Sequence, residues 1–162
     1  MKNSAIILLT SLFLLSSVLC KAQGINPFAG SKADSDSFAR TRIAIGAAFA
    51  RGDLDGIMLY HHPDVIKALA YHKYLKGREA VKAELKGTLD AYHLEFVEDK
   101  TESLYINGET VVEQSLFAIK GTPKGSGSPF VFKGRSMVVY VRYKGSPTGW
   151  ASIREMIQPA TD

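Results

Sequence analysis

The chain has 162 residues, of which 46% are hydrophobic and 22% are charged. These proportions are ordinary for a globular domain and exclude a disordered, collagen-like or coiled-coil protein. The formal net charge is +4, from 20 basic and 16 acidic residues. That balance is too even to predict binding to nucleic acid or to an anionic membrane surface. The length corresponds to about one domain.

The first 22 residues have the pattern of a signal peptide. Residues 5–19 are apolar apart from small hydroxyl residues, but as a helix they would rise only about 22 Å, short of the roughly 30 Å apolar core of a bilayer. The small residues Cys20 and Ala22 predict cleavage before Gln23. We therefore expect an exported protein, periplasmic or secreted, with no membrane span. Lipid attachment at Cys20 is the alternative, and it is disfavoured because Leu19 stands where a small residue is required.

Three helices are predicted after the leader. A flexible arm, rich in Gly, Pro and Ser, is expected over 23–34, and Asp34 or Ser35 would cap the first helix. That helix ends near Gly52, and Asp53 would cap a second, short helix. A third helix is predicted over 78–89. The apolar stripe of the first helix follows steps of three and four: Phe38, Thr41, Ile45, Ala48 and Phe49.

Strands dominate the rest of the chain. Residues 65–70 predict a short buried strand between the second and third helices, and from Tyr92 the apolar periodicity changes to two. Asn107-Gly108 is a strong signal for a hairpin turn. Further strands are predicted over 110–120, 130–143 and 149–158. The order predicts an α+β fold: three N-terminal helices packed on a strongly curved, mostly antiparallel sheet. One domain would then span 35–158, with a tail over 159–162.

This order resembles the nuclear-transport-factor-2-like superfamily, also called SnoaL-like or cystatin-like cone folds. The motifs that carry the resemblance are ARGDLDGI at 50–57, DVI at 64–66, GREAV at 77–81, RY at 142–143 and GWASI at 149–153. The resemblance covers 35–158 and implies a conical cavity between sheet and helices. Members of the superfamily bind small, mostly apolar molecules, act as isomerases, cyclases or dehydratases, or form dimers, so the fold does not decide the function.

The resemblance argues against one enzymatic branch, the ketosteroid isomerases. Those enzymes carry a general-base Asp early in the first strand, where this chain has Lys67, Ala68 and Leu69. Their oxyanion-hole donors correspond to Ile45 and to the neighbourhood of Val138, which are apolar here. That reaction needs a base to remove the proton and hydrogen-bond donors to stabilise the enolate, and this chain has neither at those positions. We do not expect ketosteroid isomerase activity.

Glu113 is the first candidate acid–base residue. Strand alternation places Val111, Glu113, Ser115 and Phe117 on one face. If that face lines the cavity, burial raises the pKa of the Glu113 carboxyl and suits it to proton transfer or to hydrogen bonding of a ligand. In the alternative, Glu113 faces solvent and Val112 packs inward.

Glu155 and Asp64 are the other two catalytic candidates. Glu155 shares a predicted face with Ile153, and the resemblance favours that face as the cavity wall. Glu113 and Glu155 together would form a shared acid site, in which each carboxylate raises the pKa of the other. Asp64 follows Pro63, so the alternative for Asp64 is a turn or cap residue.

The candidate ligand-binding residues are aromatic, apolar or imidazole side chains expected at the mouth and walls of the cavity: Tyr60, His62, Tyr74, Phe117, Tyr143 and Ile153. We predict no metal site, because the neighbouring His61 and His62 would point to opposite faces of an extended chain. We expect no cofactor, because no phosphate-binding loop or dinucleotide fingerprint is present.

Three functions remain open on the sequence. The protein binds a small apolar or amphipathic molecule in the cavity; or it is an isomerase-, dehydratase- or cyclase-like enzyme that uses a buried Glu or Asp; or it is a homodimeric interaction module. The dimer would form through the exposed sheet face, which we expect to carry Val112, Leu116, Val138 and Tyr140.

Overall fold

The computed structural model describes residues 30–70 and 72–160. The predicted signal peptide, its cleavage site at Ala22–Gln23 and Cys20 lie outside the described residues, as does most of the predicted arm. Within the described ranges, none of the helices combines the length and the apolar character needed to cross a membrane.

Three helices precede most of the sheet: α1 (Lys32–Arg51), α2 (Leu54–Met58) and α3 (Arg78–Ala91). Helix α1 begins earlier than predicted because its cap is Ser31, not Asp34 or Ser35. The Ser31 hydroxyl accepts a hydrogen bond of 3.1 Å from the Asp34 amide, and the Asp34 carboxylate accepts one of 3.3 Å from the Ser31 amide. This reciprocal pair is a capping box, and it shortens the predicted arm.

The turn between α1 and α2 is formed by the predicted residues, with Gly52 at the end of α1 and Asp53 as the cap of α2. Helix α1 ends at Gly52, whose φ of +65° lies in the left-handed region that glycine adopts without strain. The Asp53 side chain then accepts a hydrogen bond of 2.8 Å from the Gly56 amide and caps α2. The chain thereby reverses direction within a few residues and leads α2 towards the sheet.

Six strands form one sheet: β1 (His61–Leu69), β2 (Lys73–Lys76), β3 (Tyr92–Asn107), β4 (Thr110–Pro123), β5 (Phe130–Arg142) and β6 (Trp150–Pro159). Their spatial order is β2-β1-β6-β5-β4-β3. Among the strands of the described residues, only the β1–β6 pair is parallel, and the other pairs are antiparallel. The predicted α+β class, with N-terminal helices against a mostly antiparallel sheet, is confirmed.

Two features of the sheet differ from the prediction. The first strand starts at His61 and runs through Pro63, which the ladder tolerates because the pairing of β1 with β6 shifts register between His61 and Ile66. The short edge strand β2 was not predicted; it pairs with the end of β1, Leu69 opposite Lys73. The Asn107-Gly108 turn joins β3 to β4 as predicted, and Gly108 has a φ of +54°.

One hydrophobic cluster fixes α1 against the sheet. Trp150 is fully buried and its indole Nε1–H donates a hydrogen bond of 2.8 Å to Ser37 Oγ on α1. The Phe38 ring packs edge-on against Tyr140 at 4.9 Å, and the Arg142 guanidinium lies 3.7 Å above the Trp150 ring. Further clusters under α2 and α3 include Ala48, Ile57 and Leu89, and Met58, Val65 and Val81.

The predicted composition of the outer sheet face is partly wrong. Val138 and Tyr140 are buried on the inner face, and both line the cavity described below. Val112 and Leu116 lie on alternate positions of β4 and are half-buried. On the neighbouring strands, Met137 and Met156 are exposed by 49% and 65%.

Candidate functional site

A large cavity lies between the inner face of the sheet and helices α1 and α3. Its volume is about 1070 Å³, which is at the upper end of small-molecule sites, roughly 300–1,000 Å³. Side chains from all six strands and from both helices line it. The strand register therefore decides which chemical groups meet inside it.

One row of side chains crosses four strands and carries charge at both ends. Lys67 on β1 pairs with Glu155 on β6, Glu155 with Val138 on β5, and Val138 with Glu113 on β4. All four residues line the cavity. The two glutamates singled out in the sequence thus face the same cavity, separated by one apolar strand position.

Glu113 faces the cavity and not the solvent, as expected if its face of β4 lines the cavity. Its side chain is 3% exposed and forms an ion pair with Arg42, which reaches over from α1. Arg42 also forms an ion pair with Asp99 on β3, and the Thr101 hydroxyl donates a 3.0 Å hydrogen bond to Glu113 Oε1. Burial raises the pKa of Glu113, while Arg42 and Thr101 oppose the rise.

Glu155 is held by a buried cation. Its carboxylate forms an ion pair with Lys67, and the two side chains are 14% and 10% exposed. A pair that is this far from water costs desolvation energy that its own attraction only partly offsets. The presence of such a pair is therefore weak evidence that it stabilises the fold. The pair does place both charges where a bound molecule would contact them.

A second row places two unused hydrogen-bonding groups beside these charges. His61 on β1 pairs with Ser152 on β6, and Ser152 pairs with Tyr140 on β5. All three line the cavity, and they are 4%, 4% and 7% exposed. The row lies next to the Lys67–Glu113 row, one step closer to the Trp150 cluster.

His61 is a neutral hydrogen-bond acceptor. Its Nδ1 lies 3.0 Å from the Ile57 carbonyl oxygen; because that oxygen can only accept, Nδ1 carries the hydrogen and Nε2 keeps its lone pair. Burial lowers the pKa of His61 well below its ordinary value, and the charges of Lys67 and Arg78 lower it further. The imidazole therefore stays uncharged at neutral pH.

Tyr140 is a neutral phenol. Burial raises its pKa well above the ordinary value, and the nearby carboxylates of Glu113 and Glu155 add to the rise. Among the described residues the Tyr140 hydroxyl has no hydrogen-bond partner, although the ring packs against Phe38. A buried hydroxyl in that state is suited to bonding with a molecule in the cavity.

The other part of the cavity is apolar and aromatic. Four phenylalanines from α1, β3, β4 and β5 form a continuous line, in which neighbouring ring centres are separated by 5.6, 6.3 and 6.0 Å: Phe49, Phe96, Phe117 and Phe132. Gly134, opposite Phe117 in the register, provides room for that ring, since a Cβ there would lie 2.6 Å from it. Between the two parts, Ser115 and Ser136 share a hydrogen bond of 2.9 Å.

Of the six predicted ligand-binding residues, only Phe117 lines the cavity. Tyr60 is buried beside it, and its carbonyl accepts from the Ser152 amide at 2.8 Å. His62 packs on Tyr143 at 5.0 Å, away from the cavity, because alternation turns it opposite to His61. Tyr74 on the edge strand β2 is 61% exposed.

Ile153 is displaced by a bulge in β6. Val139 pairs with Arg154 and Tyr140 with Ser152, so Ile153 has no partner on β5. The extra residue shifts the alternation by one. Ser152 and Glu155 consequently both face inward, whereas the predicted alternation placed Ser152 on the opposite face from Glu155.

Asp64 lies outside the cavity. Its side chain is 84% exposed, with its carboxylate 3.8 Å from His62 Nδ1. The inward residues of β1 include His61, Val65, Lys67 and Leu69, so alternation turns Asp64 to the other face. The catalytic assignment of Asp64 is therefore not supported by its position.

Sequence reasoning missed Arg42, His61, Lys67 and Tyr140 as site residues. The signal was a polar side chain at a position that the apolar pattern assigns to the core. Arg42 lies on the same helical stripe as Ile45 and Phe49. Lys67 lies on the same face of β1 as Val65 and Leu69. In the described part of the chain, no three His, Cys, Asp or Glu side chains are grouped in a way that would hold a metal ion.

Comparison with known proteins gives a fold but no close relative. No model of a protein family matches the sequence, and no curated protein matches it. Solved structures do match. A conserved protein from Planctomyces limnophilus superposes with a TM-score of 0.70 at 17% identity, over 80% of this chain and 100% of that one. An NTF2-like protein of unknown function from Pseudomonas putida gives 0.64 at 20% identity, over 82% and 90%.

The chain has the nuclear-transport-factor-2-like fold. A ketosteroid isomerase-like protein from Erwinia carotovora atroseptica also matches, with a TM-score of 0.66 at 11% identity, over 78% of this chain and 96% of that one. The fold that the resemblance implied is thus confirmed. At these identities the likeness concerns the fold, and the chemistry has to be argued from the cavity itself.

The nuclear-transport-factor-2-like cavity of this chain has its own set of polar groups. At the positions that the resemblance relates to the base and the donors of ketosteroid isomerases, the cavity wall carries Lys67, Ile45 and Val138. Its buried ion pairs join Arg42 to Glu113 and Lys67 to Glu155. Any reaction in this cavity would use a different arrangement.

Proposed function

We propose that this is an exported protein that binds one small amphipathic molecule in its nuclear-transport-factor-2-like cavity. One observation carries the proposal. A cavity of about 1070 Å³ is lined by an aromatic, apolar part and a buried polar part. Binding sites for small molecules combine mostly apolar walls with a few placed polar groups. Export is proposed from the leader sequence.

The two parts of the cavity suggest how such a molecule would lie. Its apolar body would pack on the rings of Phe49, Phe96 and Phe117, where each square ångström of apolar surface removed from water contributes about 25 cal/mol. Its polar group would meet Tyr140 and His61, whose free hydroxyl and Nε2 are costly to leave without partners in a buried site. This division favours amphipathic ligands over hydrocarbons.

The proposal is tested by a thermal-shift screen of the purified protein against small sterols, amines, alcohols and aromatic acids. A ligand present at about 100 times its Kd stabilises the native state by about 2.7 kcal/mol, which corresponds to a rise in Tm of roughly 5 °C or more. We expect one class of compounds to give such a rise. Polar fragments that lack an apolar body serve as controls and should give none. If no compound raises Tm, the binding proposal is wrong.

An enzyme is the second candidate, and the presence of Glu113 and Tyr140 in the same cavity favours it. A carboxyl with a raised pKa and a neutral phenol, both facing a buried cavity, are the groups that proton transfer in an isomerase- or dehydratase-like reaction needs. A compound that binds would then be recovered chemically changed. Measured at a saturating concentration of that compound, the turnover of Glu113→Gln should be at least about 100-fold lower, while that of Glu98→Gln, an exposed control, should be unchanged. Unchanged compound after prolonged incubation leaves binding as the function.

A homodimer through the outer sheet face is proposed as the form in which the protein works. The observation in its favour is the exposure of Met137 and Met156 next to half-buried Val112 and Leu116. Exposed methionines beside half-buried aliphatic residues on one sheet face are a feature that contact surfaces often have. A dimer would cover this face and leave the cavity on the opposite side of the sheet.

A further inference from the structure

The ionisable side chains that line the cavity are unequal in number. Three cations face five carboxylates: Arg42, Lys67 and Lys73 against Glu84, Glu95, Asp99, Glu113 and Glu155. This excess of negative charge contrasts with the net charge of +4 on the whole chain. Salt screens the interaction of charges that are more than about 8–10 Å apart. The electrostatic field inside the cavity therefore depends on the carboxylates and cations that line it and not on the net charge of the chain.

Each of the three cations already has a carboxylate partner. Arg42 forms ion pairs with both Asp99 and Glu113, Lys67 with Glu155, and Lys73 with Glu84. An anionic molecule would therefore either share a cation with the carboxylate already bound to it, which brings two negative charges close together, or separate the pair. At the Lys67–Glu155 and Arg42–Glu113 pairs, which are mostly buried, separation is strongly unfavourable.

Several acceptors remain free on the same wall. Glu113 receives Arg42 and Thr101 on Oε1, and Glu155 receives Lys67 on Oε2, so within the described ranges Glu113 Oε2 and Glu155 Oε1 have no hydrogen-bond partner. The His61 Nε2 lone pair and the Tyr140 hydroxyl oxygen lie in the neighbouring row. His61 and Tyr140 are each more than nine-tenths buried, and nothing in the described chain engages these two atoms.

We propose, on the basis of the binding function above, that the molecule held in this cavity is an organic amine in its protonated form, carried on an aromatic or apolar body. An ammonium group donates two or three hydrogen bonds and accepts none, which matches a set of free acceptors. Its charge offsets the excess carboxylates.

The test compares three compounds with the same body and different head groups: 3,3-diphenylpropylamine, 3,3-diphenylpropan-1-ol and 3,3-diphenylpropanoate. Their affinities for the purified protein are measured by isothermal titration calorimetry at pH 7. The amine should bind about ten-fold more tightly than the alcohol, an ordinary gain for a charged hydrogen bond over a neutral one. The carboxylate should bind most weakly. This ranking is measured on the unaltered protein and does not depend on any variant folding.

A charge substitution locates the effect. Glu155→Gln removes one cavity carboxylate and frees Lys67, so amine affinity should fall about ten-fold and carboxylate affinity should rise. Glu98→Gln makes the same change of charge at an exposed position outside the cavity and should alter neither. Melting temperatures of both variants confirm that they are folded.

The possible outcomes separate this inference from the binding proposal. The carboxylate binding most tightly, or all three compounds binding equally, overturns the amine assignment and leaves the cavity as a binding site. The amine assignment is also wrong if none of the three compounds binds while a neutral compound from the screen does. Failure of all three together with failure of every screened compound overturns the binding proposal itself.

Discussion

Arg42→Met is expected to lower the free energy of unfolding by about 3–5 kcal/mol at pH 7. The substitution keeps most of the apolar length of the side chain but leaves Glu113, whose side chain is 3% exposed, without a cationic partner. It also removes the cation that faces Asp99. A buried carboxylate without a counter-charge is among the largest single destabilising effects in a folded protein. Urea unfolding followed by circular dichroism measures the loss.

The pH dependence of this loss identifies Glu113 as its source. Arg42 holds down the pKa of Glu113, which burial already raises above its ordinary value of 4.5. Without Arg42 the folded pKa rises further, so the folded state binds a proton that the unfolded state releases between pH 4.5 and that higher pKa. The stability of Arg42→Met relative to the natural protein should therefore recover as the pH falls from 8 to 5, by up to about 1.4 kcal/mol per pH unit.

Two further variants serve as controls. Arg42→Met combined with Glu113→Gln removes both charges and should regain most of the lost stability, because no unpaired buried charge remains. Arg40→Met changes an exposed arginine of the same helix and should cost less than about 0.5 kcal/mol. Equal losses in Arg42→Met and Arg40→Met would show that the ion pair with Glu113 contributes nothing.

The order of elements was readable because short-range patterns determine it. The apolar spacing from Phe38 to Phe49, the Asp53 cap and the Asn107-Gly108 turn each depend on neighbours within a few residues. The real start of α1 at Lys32 was missed, because two plausible caps at Asp34 and Ser35 follow the true one. In the capping box, Asp34 supports Ser31 rather than acting as the cap.

The inner face of β5 could not be read from its sequence. Residues 138–141 are apolar or aromatic at every position, so alternation gives no contrast between the two faces. Val138 and Tyr140 were therefore assigned to the outer face, whereas the structure places both in the cavity. Because of this ambiguity, the sequence did not predict Tyr140 as a cavity residue, although it is one of the two groups proposed to meet the polar end of the ligand.

The polar part of the cavity depends on contacts that sequence spacing does not show. Arg42 meets Glu113 across 71 positions of the chain, and the bulge at Ile153 reverses the expected alternation of β6. The Lys67–Glu155 pair exists only because β1 lies parallel to β6. Glu113 and Glu155 were nevertheless found, since a carboxylate in an apolar strand is conspicuous in either orientation.

Gly46→Trp is expected to close the cavity while leaving the fold intact. Gly46 lies within α1 and lines the cavity, and a Cβ at this position would have no atom within 4 Å. Replacing a helical glycine also removes its helix penalty of roughly 0.5–1 kcal/mol. The new indole therefore occupies ligand space and costs the free protein little. The melting temperature should be unchanged or slightly higher.

Gly87→Trp is the matched control. Gly87 lies in α3, is exposed, and likewise has no atom within 4 Å of an added Cβ. It does not line the cavity. The two variants thus add the same side chain to the same type of backbone, one inside the binding space and one outside it. Any difference in ligand affinity between them reports on the cavity.

The most direct measurement is a calorimetric titration of the compound that stabilises the natural protein most, carried out on the natural protein and on both tryptophan variants. We predict one molecule bound per chain in the natural protein and in Gly87→Trp. Binding to Gly46→Trp should be about ten- to hundred-fold weaker, because overpacking a site typically costs 1–3 kcal/mol. Unchanged affinity in a folded Gly46→Trp protein would contradict the assignment of this cavity as the binding site.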